Sequence, residues 1–377
     1  MQDNNERLNT KTGTLPPKIA GGPGRYVQGI GALDRIGSIL KDFGEKPLIV
    51  SDDLVWSILG ARVSSAIGDA GMEPILAAFA GECSHSEIDR ISSRCRDAGG
   101  DVVIGLGGGK TIDTAKAVAV NLSLPVIISP TIASNDAPTS RVIVIYNAQG
   151  ALVEIQRMPF NPNVILVDTG VIANAPVRFL VAGIGDALPT KFEAEQSAAT
   201  GALNMFEGRP THTSLVLADT CYRLIRNYGL QAKKAVERHL VTEAVELVVE
   251  ANIYLSGFGF ESGGLAAAHA LTRGFSVTEE MHGCLHGEEV AFGLLVQMVL
   301  ENRNQEFLDD FIRFYRAIGL PCTLADLGLQ RPTAEHLQVI AERSCGEGSH
   351  MHKMVLAVDE RSLIDAILMA DALGQEY

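Results

Sequence analysis

The residues of this chain best able to do chemistry fall in three places: a run of glycines, a hydroxyl-rich loop, and a set of late histidines. The glycines are Gly107, Gly108 and Gly109, followed directly by Lys110 and Thr111. Before them, Val102 to Leu106 is a short branched apolar run of the kind a buried strand shows; after them, Ile112, Ala115, Lys116 and Ala119 fall at helical spacing. Strand, glycine turn and helix together aim backbone N–H groups at a phosphate, and glycine carries no Cβ to block the approach. A bare strand-to-helix turn would read the same way, and the segment fits neither GxGxxG nor GxxxxGK[ST].

Asp52 closes the apolar run PLIVS. An acid there can hydrogen-bond an adenosine ribose and repel a 2′-phosphate, which favours NAD over NADP, and it can equally cap a helix. The loop from Ser129 to Ser140, SPTIASNDAPTS, is dense in hydroxyls and holds one acid, Asp136; an ordinary Asx or Ser/Thr turn would use the same residues. His282 and His286 are four apart, so on one helix they would share a face, a spacing able to hold a metal. His269 lies in the apolar stretch ESGGLAAAHAL, where a histidine is ordinarily a satisfied core residue. One aspartate and two neutral imidazoles would suit Zn²⁺ and leave a position for substrate, but would also accept Fe²⁺.

The elements that must position these residues change character along the chain. Arg25 to Gln28, Pro47 to Ser51, Ile75 to Phe79, Val102 to Leu106, Val126 to Ile128, Arg141 to Tyr146 and Val164 to Val167 read as strands. Helical stripes at 54–70 and 86–98 alternate with the early ones, the signature of a parallel sheet covered on both faces. From about Pro176 the strand signals stop and long helical periods take over, as in Leu215, Ala218, Cys221, Leu224, Ile225 and Tyr228. The fold class expected is an α/β N-terminal domain with a parallel Rossmann-like sheet, followed by an all-α C-terminal domain. A polar tail at 1–18, an α/β domain at 19–175 and a helical domain at 176–377 are the corresponding spans.

Composition narrows the partners. The 377 residues are 46% hydrophobic and 20% charged, as in a globular protein with sizeable cores. A formal charge of −14 argues against nucleic acid or an anionic membrane. No apolar run approaches the ~20 residues of a membrane span, and the polar start carries no secretion signal. Six scattered cysteines without a CxxC pair fit a reducing, cytoplasmic setting.

Five ordered stretches, GLGGGKTIDTAKA, PTIASNDAP, DALPTKFEA, ESGGLAAAHA and LHGEEVAFG, resemble the glycerol dehydrogenase branch of the iron-containing (group III) alcohol dehydrogenase family. The resemblance covers nearly the whole chain and implies a dehydroquinate synthase-like fold, with the active site in a cleft between the two domains. It implies a divalent metal, Zn²⁺ over Fe²⁺, on Asp186, His269 and His286. It implies that Gly107, Gly108, Gly109, Lys110 and Thr111 hold the NAD pyrophosphate and that Asp52 reaches the ribose. Thr131, Ser134, Ser140, Val142 and Tyr146 would line the cofactor site. Asp136 would contact the substrate hydroxyl, with His282 near the nicotinamide or substrate. The activity implied is metal-dependent, NAD-linked oxidation of a secondary alcohol, glycerol to dihydroxyacetone or a related vicinal diol, by a homo-oligomer such as an octamer.

Departures from the branch bear on substrate. Asn135 replaces a usual Thr, Pro189 and Lys191 interrupt the usual DALATWFEA, and Thr272-Arg273 stand where His-Asn is usual. A cationic side chain near the cleft would favour an acid, so a 2-hydroxy acid or 2-oxo acid dehydrogenase is the alternative. A metal-dependent lyase or synthase, or a non-catalytic nucleotide-binding protein, would also fit the scaffold.

Overall fold

A computed structural model describes residues 15–147, 150 and 152–377. Most of the expected polar tail therefore lies outside the described residues; at its end, Pro17 O accepts from Arg209 N at 2.9 Å. The chain forms two compact units: one of Gly22–Leu180 with Lys234–Gly257, the other of Val181–Lys233 and Phe258–Tyr377 with the residues up to Gly21.

The first unit is the α/β one. Its strands are β1 (Arg25–Gly29), β2 (Pro47–Ser51), β3 (Ile75–Ala78), β4 (Val102–Gly107), β5 (Val126–Pro130), β6 (Val142–Tyr146), β7 (Leu152–Arg157) and β8 (Val164–Asp168). Six of them form one sheet in the order β1-β8-β5-β4-β2-β3. Every pairing in it is parallel. The central strands β2, β4, β5 and β8 are buried along their whole length, which is why they read as unbroken apolar runs rather than alternating ones. Leu33, Ile36, Val63, Ile67, Ile104 and Leu166 belong to one continuous core on this sheet.

Two strands depart from the expected pattern. β6, read as one more strand of the alternating series, stands outside the sheet and pairs antiparallel with β7 as a two-stranded ribbon. β7 carries no apolar run; LVEIQR is exposed along most of its length, so its pairing comes from the ribbon and leaves no burial pattern.

Among the described residues the second unit has no named strand. Its helix Gln305–Ile318 shows how the sequence builds it. Leu308, Phe311, Ile312, Tyr315 and Ile318 recur at helical spacing and are the buried face. Asn304 caps the start, accepting from Phe307 N at 2.9 Å, and Gly319 ends it in the left-handed region at φ 91°. Phe311 packs edge-on to Phe192 and against Tyr315, with ring centroids 6.1 and 5.1 Å away. No helix of the described residues is long and apolar enough to cross a membrane.

Candidate functional site

In the α/β unit, three loops leave the carboxyl ends of the neighbouring parallel strands β2, β4 and β5, where open α/β sheets bind ligands. After β4, Gly108 is the N-cap of the helix Gly109–Leu122 and provides no side-chain cap to its first turn. Gly107 lies against that helix: a Cβ there would stand 2.9 Å from Thr111 Cβ. Lys110 reaches Glu82 at 2.5 Å, with Nζ 5.8 Å from the centre of the Tyr146 ring. Thr111 is buried. Asp52 is the N-cap of the helix Asp53–Gly68, accepting from Val55 N at 2.9 Å.

Ser129 and Pro130, read from the sequence as the start of the hydroxyl-rich loop, end β5 instead; the loop begins at Thr131, whose N donates to Gly107 O at 3.1 Å. Thr131, Ser134, Asp136 and Ser140 are all buried. Ser256 Oγ donates to Asp136 Oδ2 at 2.7 Å. Just before Ser256, the chain makes a π-helical turn, Ala251–Leu255, from which the Asn252 amide donates to Ala133 O and Leu180 O. A buried lysine holds the far end of the loop. Lys116 Nζ donates to Ala137 O at 2.5 Å and to Val142 O at 3.0 Å, and pairs with Asp113 at 3.3 Å. Asp113 also accepts from Val144 N at 3.1 Å. Burial raises the Asp113 carboxyl, and the Lys116 charge works against that rise.

The helical unit gathers a different kind of site. Asp186 lies near the end of the helix Val177–Ala187, His269 in the first turn of Ala267–Phe275, and His286 at the start of His286–Leu300. One ligand atom from each lies within 4.8 Å of the other two. His269 Nε2 and His286 Nε2 are each 3.4 Å from Asp186 Oδ1. Four-coordinate Zn²⁺ with bonds of ~2.0–2.2 Å needs ligand–ligand edges of ~3.3–3.6 Å, which the two edges to Asp186 match, the third lying within 4.8 Å. Asp186 is buried, whereas the His286 side chain is 45% exposed, so the cluster opens on the His286 side.

Glycines let these helices meet main chain to main chain. A Cβ on Gly287 would fall 1.8 Å from Ala182 O, and one on Gly293 2.5 Å from Ala268 O. The ligands Asp186, His286 and His269 all sit within a turn or so of these contacts.

Glu193, on the helix Thr190–Thr200, completes the arrangement. It is fully buried. Its Oε1 accepts from Ala266 N at 2.8 Å and His269 N at 3.0 Å, and its Oε2 lies 2.5 Å from His269 Nδ1. Burial alone would depress the His269 pKa, but Glu193 and Asp186 outweigh it and hold the imidazole well above its usual value. Burial opposes the charged form of Glu193 too, yet His269 and the two backbone N–H groups keep it below the usual range. The negative potential that favours a proton here favours a cation equally.

Asp186, His269 and His286 thus come together, and His282 does not join them. His282 follows the short 3₁₀ turn Glu279–Met281, with Nε2 3.2 Å from Ser276 O, and the chain turns before the His286 helix begins. The four-residue spacing therefore does not put the two histidines on one helix face. Glu193 and His350 were not singled out by the residue patterns. His350 is an imidazole pushed down to about 4, mainly by burial and then by Lys353, with Glu193 and His269 also acting on it. Glu193 stands inside DALPTKFEA, but nothing in that motif distinguishes a buried carboxylate from a solvent-facing one. Lys191 pairs with Asp219 and Glu195, and Arg273 donates to Glu347 O at 3.4 Å.

Comparison with known proteins agrees with this picture. The family model for iron-containing alcohol dehydrogenases matches residues 23–169. A glycerol dehydrogenase of Escherichia coli O6:H1 is 44% identical over 96% of this chain and 98% of its own length. One from Thermotoga maritima is 45% identical over 94% of this chain and 96% of its own. The crystal structure of glycerol dehydrogenase from Schizosaccharomyces pombe superposes with a TM-score of 0.92 at 38% identity, covering 96% of this chain and 92% of that one. With two relatives this similar over nearly their full lengths, the chain belongs to the iron-containing alcohol dehydrogenase family and is an oxidoreductase.

Proposed function

We propose that this enzyme oxidises the secondary hydroxyl of glycerol, or of a related vicinal diol, with NAD as acceptor and one divalent metal ion. The observation that carries the reading is the Asp186, His269 and His286 cluster, whose two 3.4 Å edges suit a small divalent ion; Zn²⁺ over Fe²⁺ is what the family resemblance suggests. When bound, the metal would supply Lewis-acid polarisation of a substrate hydroxyl, and NAD would supply the hydride acceptor.

The chain's own residues do the rest. Asp186, His269 and His286 hold the metal. The backbone N–H groups at Gly107, Gly108 and Gly109, with Lys110 and Thr111, receive the pyrophosphate at the start of the helix. Asp52 meets the adenosine ribose, and Thr131, Ser134, Ser140, Val142 and Tyr146 line the cofactor. Asp136, fixed by Ser256, orients a neighbouring substrate hydroxyl, and His282 stands near the nicotinamide or substrate. The hydroxy-acid alternative asks Lys191 or Arg273 to meet a carboxylate, but Lys191 is already engaged by Asp219 and Glu195. We include in the proposal a homo-oligomer, octameric by resemblance, and a cytoplasmic setting; no cysteine among the described residues is in a disulfide.

The test is NADH formation by the purified protein with added Zn²⁺. Glycerol, 1,2-propanediol, 2,3-butanediol, lactate and 2-hydroxybutyrate are compared, each before and after EDTA. EDTA-sensitive turnover of the diols is the expected outcome. Turnover of the hydroxy acids alone would move the substrate, and silence in both directions would sink the dehydrogenase reading.

A further inference from the structure

Resting on the metal reading above, we infer that Glu193 is a positioning residue for the metal centre: it fixes the His269 tautomer that leaves Nε2 for the cation. Glu193 cannot rotate freely into another role. Oε1 is committed to two backbone donors, Ala266 N and His269 N, at the start of the helix Ala267–Phe275. That anchoring aims Oε2 at His269 Nδ1, 2.5 Å away. A carboxylate only accepts, so Nδ1 keeps a proton whatever the charge of the ring, and the proton a cation displaces is the one on Nε2, which faces Asp186.

The consequence is a convergence of acceptors. Nε2 of His269 looks at Asp186 Oδ1 across 3.4 Å, as does Nε2 of His286. Without that proton, lone pairs so placed repel unless a cation stands among them. Two carboxylates, Asp186 and Glu193, also balance the charge of a divalent ion, one by direct ligation and one through the ring it orients.

Glutamine at 193 turns this logic into an experiment. Its carbonyl can still accept from Ala266 N and His269 N, but its amide must then donate to Nδ1. The proton moves to Nε2, and the ligand atom is lost. A neighbour provides the control. Gln297 is equally buried and accepts from Ala268 N at 3.0 Å, at the same helix start, while its amide donates to Glu301 Oε1 at 2.9 Å.

Zn²⁺ affinity, measured by competition with a chromogenic chelator on the metal-stripped full chain, is expected to fall about 10–100-fold in Glu193→Gln. Gln297→Met should lower the melting temperature of the metal-free protein and leave Zn²⁺ affinity within about 3-fold of wild type. Glu193→Asp keeps the charge and the acceptor, and is expected to bind more tightly than the Gln variant. Wild-type affinity in Glu193→Gln, an equal loss in Gln297→Met, or an Asp variant weaker than the Gln one would overturn the inference. A wild-type protein that binds no divalent metal would overturn the metal reading itself, and this inference with it.

Discussion

The two proposed sites of this molecule are made of different material. The glycine turn of the α/β unit is main chain: a strand end, an uncapped helix start, and a glycine, Gly107, where Thr111 leaves room for nothing larger. The cluster of the helical unit is side chain: one carboxylate and two imidazoles brought from three helices far apart in sequence. A main-chain site is contiguous, so neighbouring residues can change so long as no Cβ intrudes. A side-chain site depends on a few named atoms, and losing one removes the function.

Four changes would break or sharpen that contrast. The largest effect belongs to Asp186→Ala, which removes the oxygen 3.4 Å from both imidazoles. Metal content should drop to background, and NADH formation by at least ~10³-fold, since several kcal/mol of Lewis-acid stabilisation go with the ion. Lys116→Met comes next, because it strands a carboxylate, Asp113, that is itself buried. Chemical denaturation should show a loss of about 3–5 kcal/mol. Metal content should stay intact while KM for NAD rises; a variant that loses its metal instead would show that the two sites are not independent.

Gly287→Ala probes the helix contact. Its Cβ would overlap Ala182 O, a backbone atom that cannot swing aside. Overpacking of this kind costs about 1–3 kcal/mol, so a lower melting temperature and weaker Zn²⁺ binding should appear together. The smallest effect is expected at Glu289, whose carboxyl is pushed up to about 8 by burial, with Glu288 adding to the rise. The folded chain then keeps a proton that the unfolded chain releases near 4.5, so this residue lowers stability as pH climbs from about 4.5 to about 8. In Glu289→Gln that slope should flatten, and the melting temperature at pH 8 should rise relative to that at pH 5.

The same contrast explains what could be read from the residues alone. A main-chain site leaves a local trace, so DVVIGLGGGKTIDTAKA already shows strand, turn and helix in order. Buried strands such as β2, β4 and β8 are equally plain, since burial on both faces forces a continuous apolar run. The cluster leaves no such trace. The spacing of His282 and His286 points to one helix, yet a turn separates them, and spacing carries no information about where a helix begins. His269 reads as a core residue because its neighbours are core residues, and only the order of five motifs marks it otherwise. Glu193 gives no signal, because its role depends on a ring and two N–H groups some seventy residues on. The segment Lys234–Gly257 is similar. Its stripe of valines shows a helix, but not that Glu246 accepts from Gln28 and Thr169 in the α/β unit.

The contact of Gly287 with Ala182 would also limit the size of a cation in the proposed centre. Side chains that hold an ion can swing outward for a larger one, but helices already in main-chain contact have little room to part or close. The spacing of the proposed ligands is thus fixed before any ion arrives. Zn²⁺ and the other small divalent metals of the first transition row fall within that aperture. Ca²⁺, which wants six to eight oxygens at ~2.3–2.6 Å, would find it both too narrow and too rich in nitrogen. In the proposed metal centre, discrimination among cations would then rest on two glycines, Gly287 and Gly293, that are not themselves ligands.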